Sequence, residues 1–210
     1  MPAEPTVFVV DDDQAMRDAL SLLLKAGNLQ AEIFPDAKNF LETYSADRPG
    51  CLLLDVRMPG MSGLELQEKL IKSGICLPII LITGHGDVAM AVRAMKAGAL
   101  DFIEKPFSSK HLLERIQEAL AQDAHARRCQ AQHAAIASRV TLLSPREFQV
   151  LERVVAGHYN KIIAMELGIG ISTVEAHRKR VMEKLQAESL TDLVRIMASY
   201  RALHANDHKK

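Results

Sequence analysis

Apolar residues follow two alternating patterns over the first 122 positions. Short runs from Thr6 to Val10, Ala31 to Phe34, Leu52 to Leu54, Ile79 to Ile82 and Leu100 to Glu104 have the length of buried strands. Between them Met16, Ala19, Leu20, Leu23 and Leu24, and later Val88, Ala91, Val92 and Met95, recur at helical spacing. Ser62 and Glu65 form a capping box that opens a further helix. Five strands alternating with five helices predict an α/β domain, a doubly wound five-stranded parallel sheet.

From Phe107 to Ser144 there is neither Gly nor Pro. Leu112, Leu113, Ile116, Ala119 and Leu120 mark a packed helix; beyond Gln122 the apolar face thins to Ala while helix propensity stays high. This reads as a helix that leaves its domain and becomes a connector, the alternative being a disordered hinge. The last third predicts a small all-α domain of four helices. Ser144, Pro145 and Glu147 supply N-cap, N1 and N3 ahead of Val150, Leu151, Val154 and Val155. Asn160 caps a short helix with Ile163, Ala164 and Leu167, which Gly168 ends. A longer helix carries Val174, Val181 and Leu185 on one face, beginning at Gly170 or at Ser172. Ser189 caps a fourth helix with Leu190, Leu193, Val194 and Met197 inward. Two helices across a Gly-containing turn suit a helix-turn-helix. The expected organisation is residues 1–122, a helical linker at 123–138, the helical domain at 139–203 and a tail at 204–210.

The 26 Lys and Arg balance 26 Asp and Glu overall, yet the halves differ. Residues 1–122 hold 12 basic against 17 acidic side chains, net −5, and residues 123–210 hold 14 against 9, net +5. An acidic half joined to a basic half suggests two tasks, the second on nucleic acid. No apolar stretch is long enough to span a membrane, and no signal pattern opens the chain, so a cytoplasmic location is expected. Cys51, Cys76 and Cys129 lack metal or redox spacing, and His204 and His208 read as a polar chain end.

Chemistry gathers at the strand ends. Asp11, Asp12, Asp55, Thr83 and Lys105 each follow or close an apolar run, and parallel strands place such ends along one carboxyl edge, where ligands of this architecture bind. Clustered Asp oxygens suit a hard cation such as Mg2+ and leave positions for phosphate oxygens.

Several separated motifs then agree in order and spacing: Asp55 to Gly63 with Met58, Pro59 and Gly60; Thr83 with Gly84; and Lys105, Pro106, Phe107. With them the first half resembles a two-component receiver domain of the flavodoxin-like fold. The last third resembles the LuxR-type helix-turn-helix of the FixJ/NarL class through Arg146, Glu147, Asn160, Lys161, Ala164, Leu167, Thr173, Val174, Glu175, His177 and Lys184-Leu185. The resemblance implies Asp55 as phosphoryl acceptor from a sensor histidine kinase. It implies Mg2+ held by Asp11, Asp12, Asp55 and the Arg57 carbonyl, with Asp11 acting through water, and Thr83 and Lys105 as readout. It also implies a cis Lys105-Pro106 bond, and a homodimer face including Val92, Lys96 and Phe102. Phe102 lacks the hydroxyl of a Tyr, so the switch would rest on packing. Asp13 reads as a solvated neighbour, and Arg57 and His85 as flanks of the acyl phosphate.

On the longer helix, Glu175, Ala176 and Lys179 oppose the buried stripe and point to base edges, whereas His177, Arg178 and Arg180 flank it toward phosphates. Thr173 shares this helix, and Lys161 reads as a further phosphate contact or as a solvated surface lysine. Glu175 accepts from cytosine N4 or serves as N3 partner of Ser172. The function implied is a regulator of transcription that binds double-stranded DNA as a phosphorylation-dependent dimer, activates through RNA polymerase, and is no enzyme beyond its own phosphorylation and dephosphorylation. An aspartyl-phosphate hydrolase would need an acid two residues after Asp55, where Arg57 stands. A receiver working without phosphate is the third reading, disfavoured by the complete acidic set.

Overall fold

The computed structural model describes residues 4–84 and 88–207, with side chains through Ala202. His85 and His208 lie outside the described residues, and of His204 only the backbone is described. The chain divides into two compact units, Met1–Arg127 and Arg128–Lys210.

In the first unit, strands β1 (Thr6–Val10), β2 (Gln30–Phe34), β3 (Gly50–Asp55), β4 (Ile79–Thr83) and β5 (Asp101–Glu104) form one parallel sheet in the order β2-β1-β3-β4-β5. The two-residue period of a strand sends alternate side chains to opposite faces. Phe8, Val10, Leu52, Leu54 and Leu81 pack with Phe34, Phe40, Leu66 and Leu70. Val7, Val9, Leu53, Ile80 and Ile82 pack with Leu20, Leu24, Leu112 and Ile116. The helices are therefore split, α2 (Ala37–Thr43), α3 (Gly63–Lys72) and α4 (Val88–Lys96) against the first face, α1 (Gln14–Ala26) and α5 (Ser109–Val140) against the second.

The α4 stripe lies open to solvent, with Val88 81% exposed and Val92 and Met95 at 45% and 46%, while the helix buries Ala94. One expectation for this unit is corrected. Residues 123–127 belong to the first unit rather than to a linker. Asp123 is buried and its Oδ2 accepts from Gly50 N at 2.9 Å. Arg127 donates to both Asp123 oxygens and to the carbonyls of Ala46, Asp47 and Arg48. A buried carboxylate needs such donors. They fasten α5 to the loop ahead of β3, and α5 itself runs unbroken to Val140.

In the second unit, α6 (Pro145–Val155), α7 (Asn160–Leu167), α8 (Ile171–Leu185) and α9 (Leu190–Asp207) enclose Val150, Leu151, Val154, Ile163, Val174, Val181, Leu185, Leu193, Ile196 and Met197. The expected Ser144–Glu147 capping box forms. Glu147 is buried, and Lys184 Nζ lies 2.6 Å from its Oε2. Burial alone would raise this carboxyl, but the Lys184 ammonium and the Ser144 N–H and hydroxyl outweigh it and hold the pKa at about 2. Ser189 opens α9 as read, with its Oγ accepting from Asp192 N at 3.1 Å. Leu190 and Val194, read as inward, are 49% and 43% exposed, and Ile196 fills the core beside Leu193 and Met197. Among the described residues no helix is long and apolar enough to cross a membrane.

Candidate phosphoacceptor crevice and DNA face

The sheet brings the predicted residues to one edge. Asp11 follows β1, Asp55 and Thr83 close β3 and β4, and Lys105 follows β5; Asp11, Asp55 and Thr83 are 2%, 7% and 1% exposed. The Lys105 ammonium donates to Asp11 Oδ2 and to Asp55 Oδ1, each at 2.8 Å. The other oxygens are also held: Arg57 N donates to Asp55 Oδ2 at 2.7 Å, and Asp13 N to Asp11 Oδ1 at 2.9 Å. Lys105-Pro106 is cis, as the resemblance implied.

Burial raises the Asp55 pKa above the usual carboxylate range, and the Lys105 ammonium opposes that rise. Lys105 is itself held above the ordinary lysine value: burial works against its charge, and its bonds to Asp11 and Asp55 prevail. The ammonium therefore stays charged at neutral pH, leaving two buried carboxylates with one cation between them. Asp12 stands exposed at the rim, beside a hollow of about 500 Å³ that Pro35, Pro59 and Met61 also line. Among the described residues, no three His, Cys, Asp or Glu side chains are drawn together as a ready-made metal cage. The excess of hard carboxylate oxygens over ammonium charge nevertheless fits a divalent cation.

Three supports were not legible as such in the sequence. Asp13, read as a solvated neighbour, is the N-cap of α1 and accepts from Ala15 N. Arg17 donates to the Asp11 carbonyl at 2.8 Å and steadies the turn after β1. Gly63 is required for space, because a Cβ there would lie 2.2 Å from the Asp55 carbonyl oxygen. A Gly63→Ala chain should lose about 1–3 kcal/mol by overpacking. Urea denaturation checks this, an unchanged midpoint being the contrary result.

The dimer candidates lie on α4 and β5. Val92 and Lys96 are exposed, and Phe102 is half-buried against the first core face.

In the second unit, α8 begins after the N-cap Gly170, without a side-chain cap, which settles the two possible starts. Glu175 then falls beyond N3, and its capping role is removed. Thr173, Glu175, Ala176, Lys179 and Arg180 are exposed opposite the buried Val174, Val181 and Leu185, with His177 and Arg178 half-buried at the sides. Lys161 is exposed on α7. Asn160 is not the N-cap of α7. Tyr159 occupies that position, and Asn160 Oδ1 instead accepts from Arg178 Nη1 at 2.7 Å. That pairing depends on how α7 meets α8, which spacing along one helix does not carry.

Fold and crevice define a receiver domain, and the second unit a helix-turn-helix module. Residues 7–117 match the family model of the response regulator receiver domain, and residues 141–197 that of the luxR family of bacterial regulatory proteins. The chain belongs to the response regulators that carry a LuxR-type DNA-binding domain, and it is a transcriptional regulator. It is 44% identical over 207 residues to the transcriptional regulatory protein FixJ of Bradyrhizobium diazoefficiens, covering 99% of this chain and 100% of that one. It is also 44% identical to the response regulator protein TodT of Pseudomonas putida, over 90% of this chain and 84% of the relative. Among solved structures, the response regulator StyR superposes with a TM-score of 0.89 at 45% identity, covering 94% of this chain and all of that one. The amino-terminal structure of FixJ matches at 44% identity and a TM-score of 0.53, over 56% of this chain and 94% of its own.

Proposed function

We propose that Asp55 takes a phosphoryl group from a partner histidine kinase, and that this modification drives dimerisation and promoter binding. The observation that carries the reading is the Lys105 ammonium set 2.8 Å from both Asp11 and Asp55. A carboxylate attacking a phosphoryl group meets like charge, and a fixed cation beside it lowers that repulsion in the transition state. An Asp55 oxygen forms the new bond to phosphorus as the donor's P–N bond breaks, its electron pair leaving with the imidazole. Mg2+ held by Asp11, Asp12, Asp55 and the Arg57 carbonyl would neutralise the phosphoryl oxygens. The chain's chemistry is then limited to acquiring and losing its own phosphate.

Thr83 and Lys105 carry the readout: the Thr83 hydroxyl meets the phosphoryl oxygen and the Phe102 ring repacks, biasing the face of Val92 and Lys96 toward a second copy. Exposure of Val88, Val92 and Met95 supports that role for α4. On DNA, Glu175, Ala176, Lys179 and Thr173 face the major groove, with Lys161, His177, Arg178 and Arg180 on phosphates. Paired modules would occupy half-sites about 10 base pairs apart. Bound there, the dimer recruits RNA polymerase and activates transcription.

Sedimentation and promoter binding, compared for acetyl phosphate-treated wild type and Asp55→Asn, test this reading. The treated wild type should dimerise and bind more tightly. Equal behaviour of the two chains would contradict it. At the DNA face, Lys179→Ala should reduce discrimination between sequences, while Arg178→Ala should lower the salt slope by about 0.9 with sequence preference kept. Binding isotherms in a salt series distinguish these effects, and identical changes in both variants would refute the division.

A further inference from the structure

The pairing of Asn160 with Arg178 gives a side chain of α7 a role on DNA. Arg178 is the one flanking cation of α8 tied by a described hydrogen bond to the preceding helix, through Asn160 Oδ1 at 2.7 Å. A guanidinium presents several N–H groups in one rigid plane, so fixing one edge orients the remaining donors. Arg178 borders an open groove of about 430 Å³, shared with Gly157, His158, Tyr159 and Leu190. Asn160 is available for this because Tyr159 takes the N-cap position of α7, leaving the carboxamide oxygen no capping duty. A long, unsupported Arg loses rotamer freedom on meeting a phosphate, whereas one already held loses less.

We infer that Asn160 is a positioning residue for DNA binding, which holds the Arg178 guanidinium in the orientation that contacts a backbone phosphodiester. The proposal rests on the DNA-binding reading of α8 and deepens it. Asn160 itself touches no nucleic acid in this account; its effect passes through Arg178.

The test is a double-mutant cycle in the full chain, with Asn160→Ala, Arg178→Ala and both together. A mixed-sequence duplex is the probe, since phosphate contacts are independent of sequence. Asn160→Ala should weaken binding about tenfold, at the low end for loss of a charge-assisted bond, with an unchanged melting temperature. In the Arg178→Ala background the same change should have no further effect. Asn160→Gln, which keeps an acceptor oxygen, should recover part of the loss. Additive losses, tighter binding by Asn160→Ala, or a fall in affinity that tracks a fall in melting temperature would each overturn the proposal. Failure of the wild-type chain to bind any duplex would instead remove the DNA-binding reading itself.

Discussion

A Lys105→Met chain should acquire phosphate from acetyl phosphate at least about 10²-fold more slowly than wild type, the loss typical of removing one preorganised charge-stabilising donor. Two effects act together. The ammonium no longer offsets the approach of a phosphoryl group to two carboxylates, and it no longer opposes the burial that raises Asp55. Only the ionised carboxylate attacks, so the acid limb of the pH–rate profile should also move to higher pH in the variant. Stopped-time mass measurements over a pH series read both quantities. A variant with the wild-type rate and profile would show that the pairs from Lys105 to Asp11 and Asp55 are structural only.

The second large effect is expected in the helical unit. Lys184→Met leaves the Glu147 carboxylate, in a residue 3% exposed, with only the Ser144 N–H and hydroxyl as donors. Breaking a buried pair costs about 3–5 kcal/mol; because the Lys184 side chain is 37% exposed, solvent reduces this to about 2 kcal/mol. The pH dependence has a definite sign. Glu147 sits at about 2 in the folded chain, below its unfolded value of about 4.3, so its contribution is complete above that value. It is lost as pH falls through the window down to about 2. Hydrogen exchange of amides in residues 141–197, taken relative to the intrinsic rate at each pH, should therefore accelerate on acidification through that window in wild type. In Lys184→Met it should already be faster at neutral pH, with a smaller further change on acidification. Equal exchange in the two chains would remove Lys184 from this role.

The parallel sheet and the acidic crevice were legible because each signal is local and the topology then combines them. Asp11, Asp55, Thr83 and Lys105 stand at the ends of apolar runs, and parallel pairing alone brings such ends together. The faces of helices were less legible. Spacing reveals that Val88, Val92 and Met95 share a stripe of α4, but not whether that stripe meets the core, and it is Ala94 that does. The same limit applies to Leu190 and Val194 on α9. Residues 123–127 escaped because their partners are remote in sequence: Asp123 answers Gly50, and Arg127 answers three carbonyls of the loop before β3. An Asp and an Arg four apart in an Ala-rich helix look like a surface pair. Asn160 illustrates a competition between roles, since its residue type suits a cap while the packing of α7 on α8 offers it a guanidinium instead.

Covalent uptake of phosphate by Asp55 is the central claim, and intact-mass and peptide mass spectrometry test it most directly. The purified chain with Mg2+ and acetyl phosphate should gain one phosphate, localised to the peptide containing Asp55 and missing in Asp55→Asn. No gain in the wild type, or an equal gain in Asp55→Asn, would contradict the account.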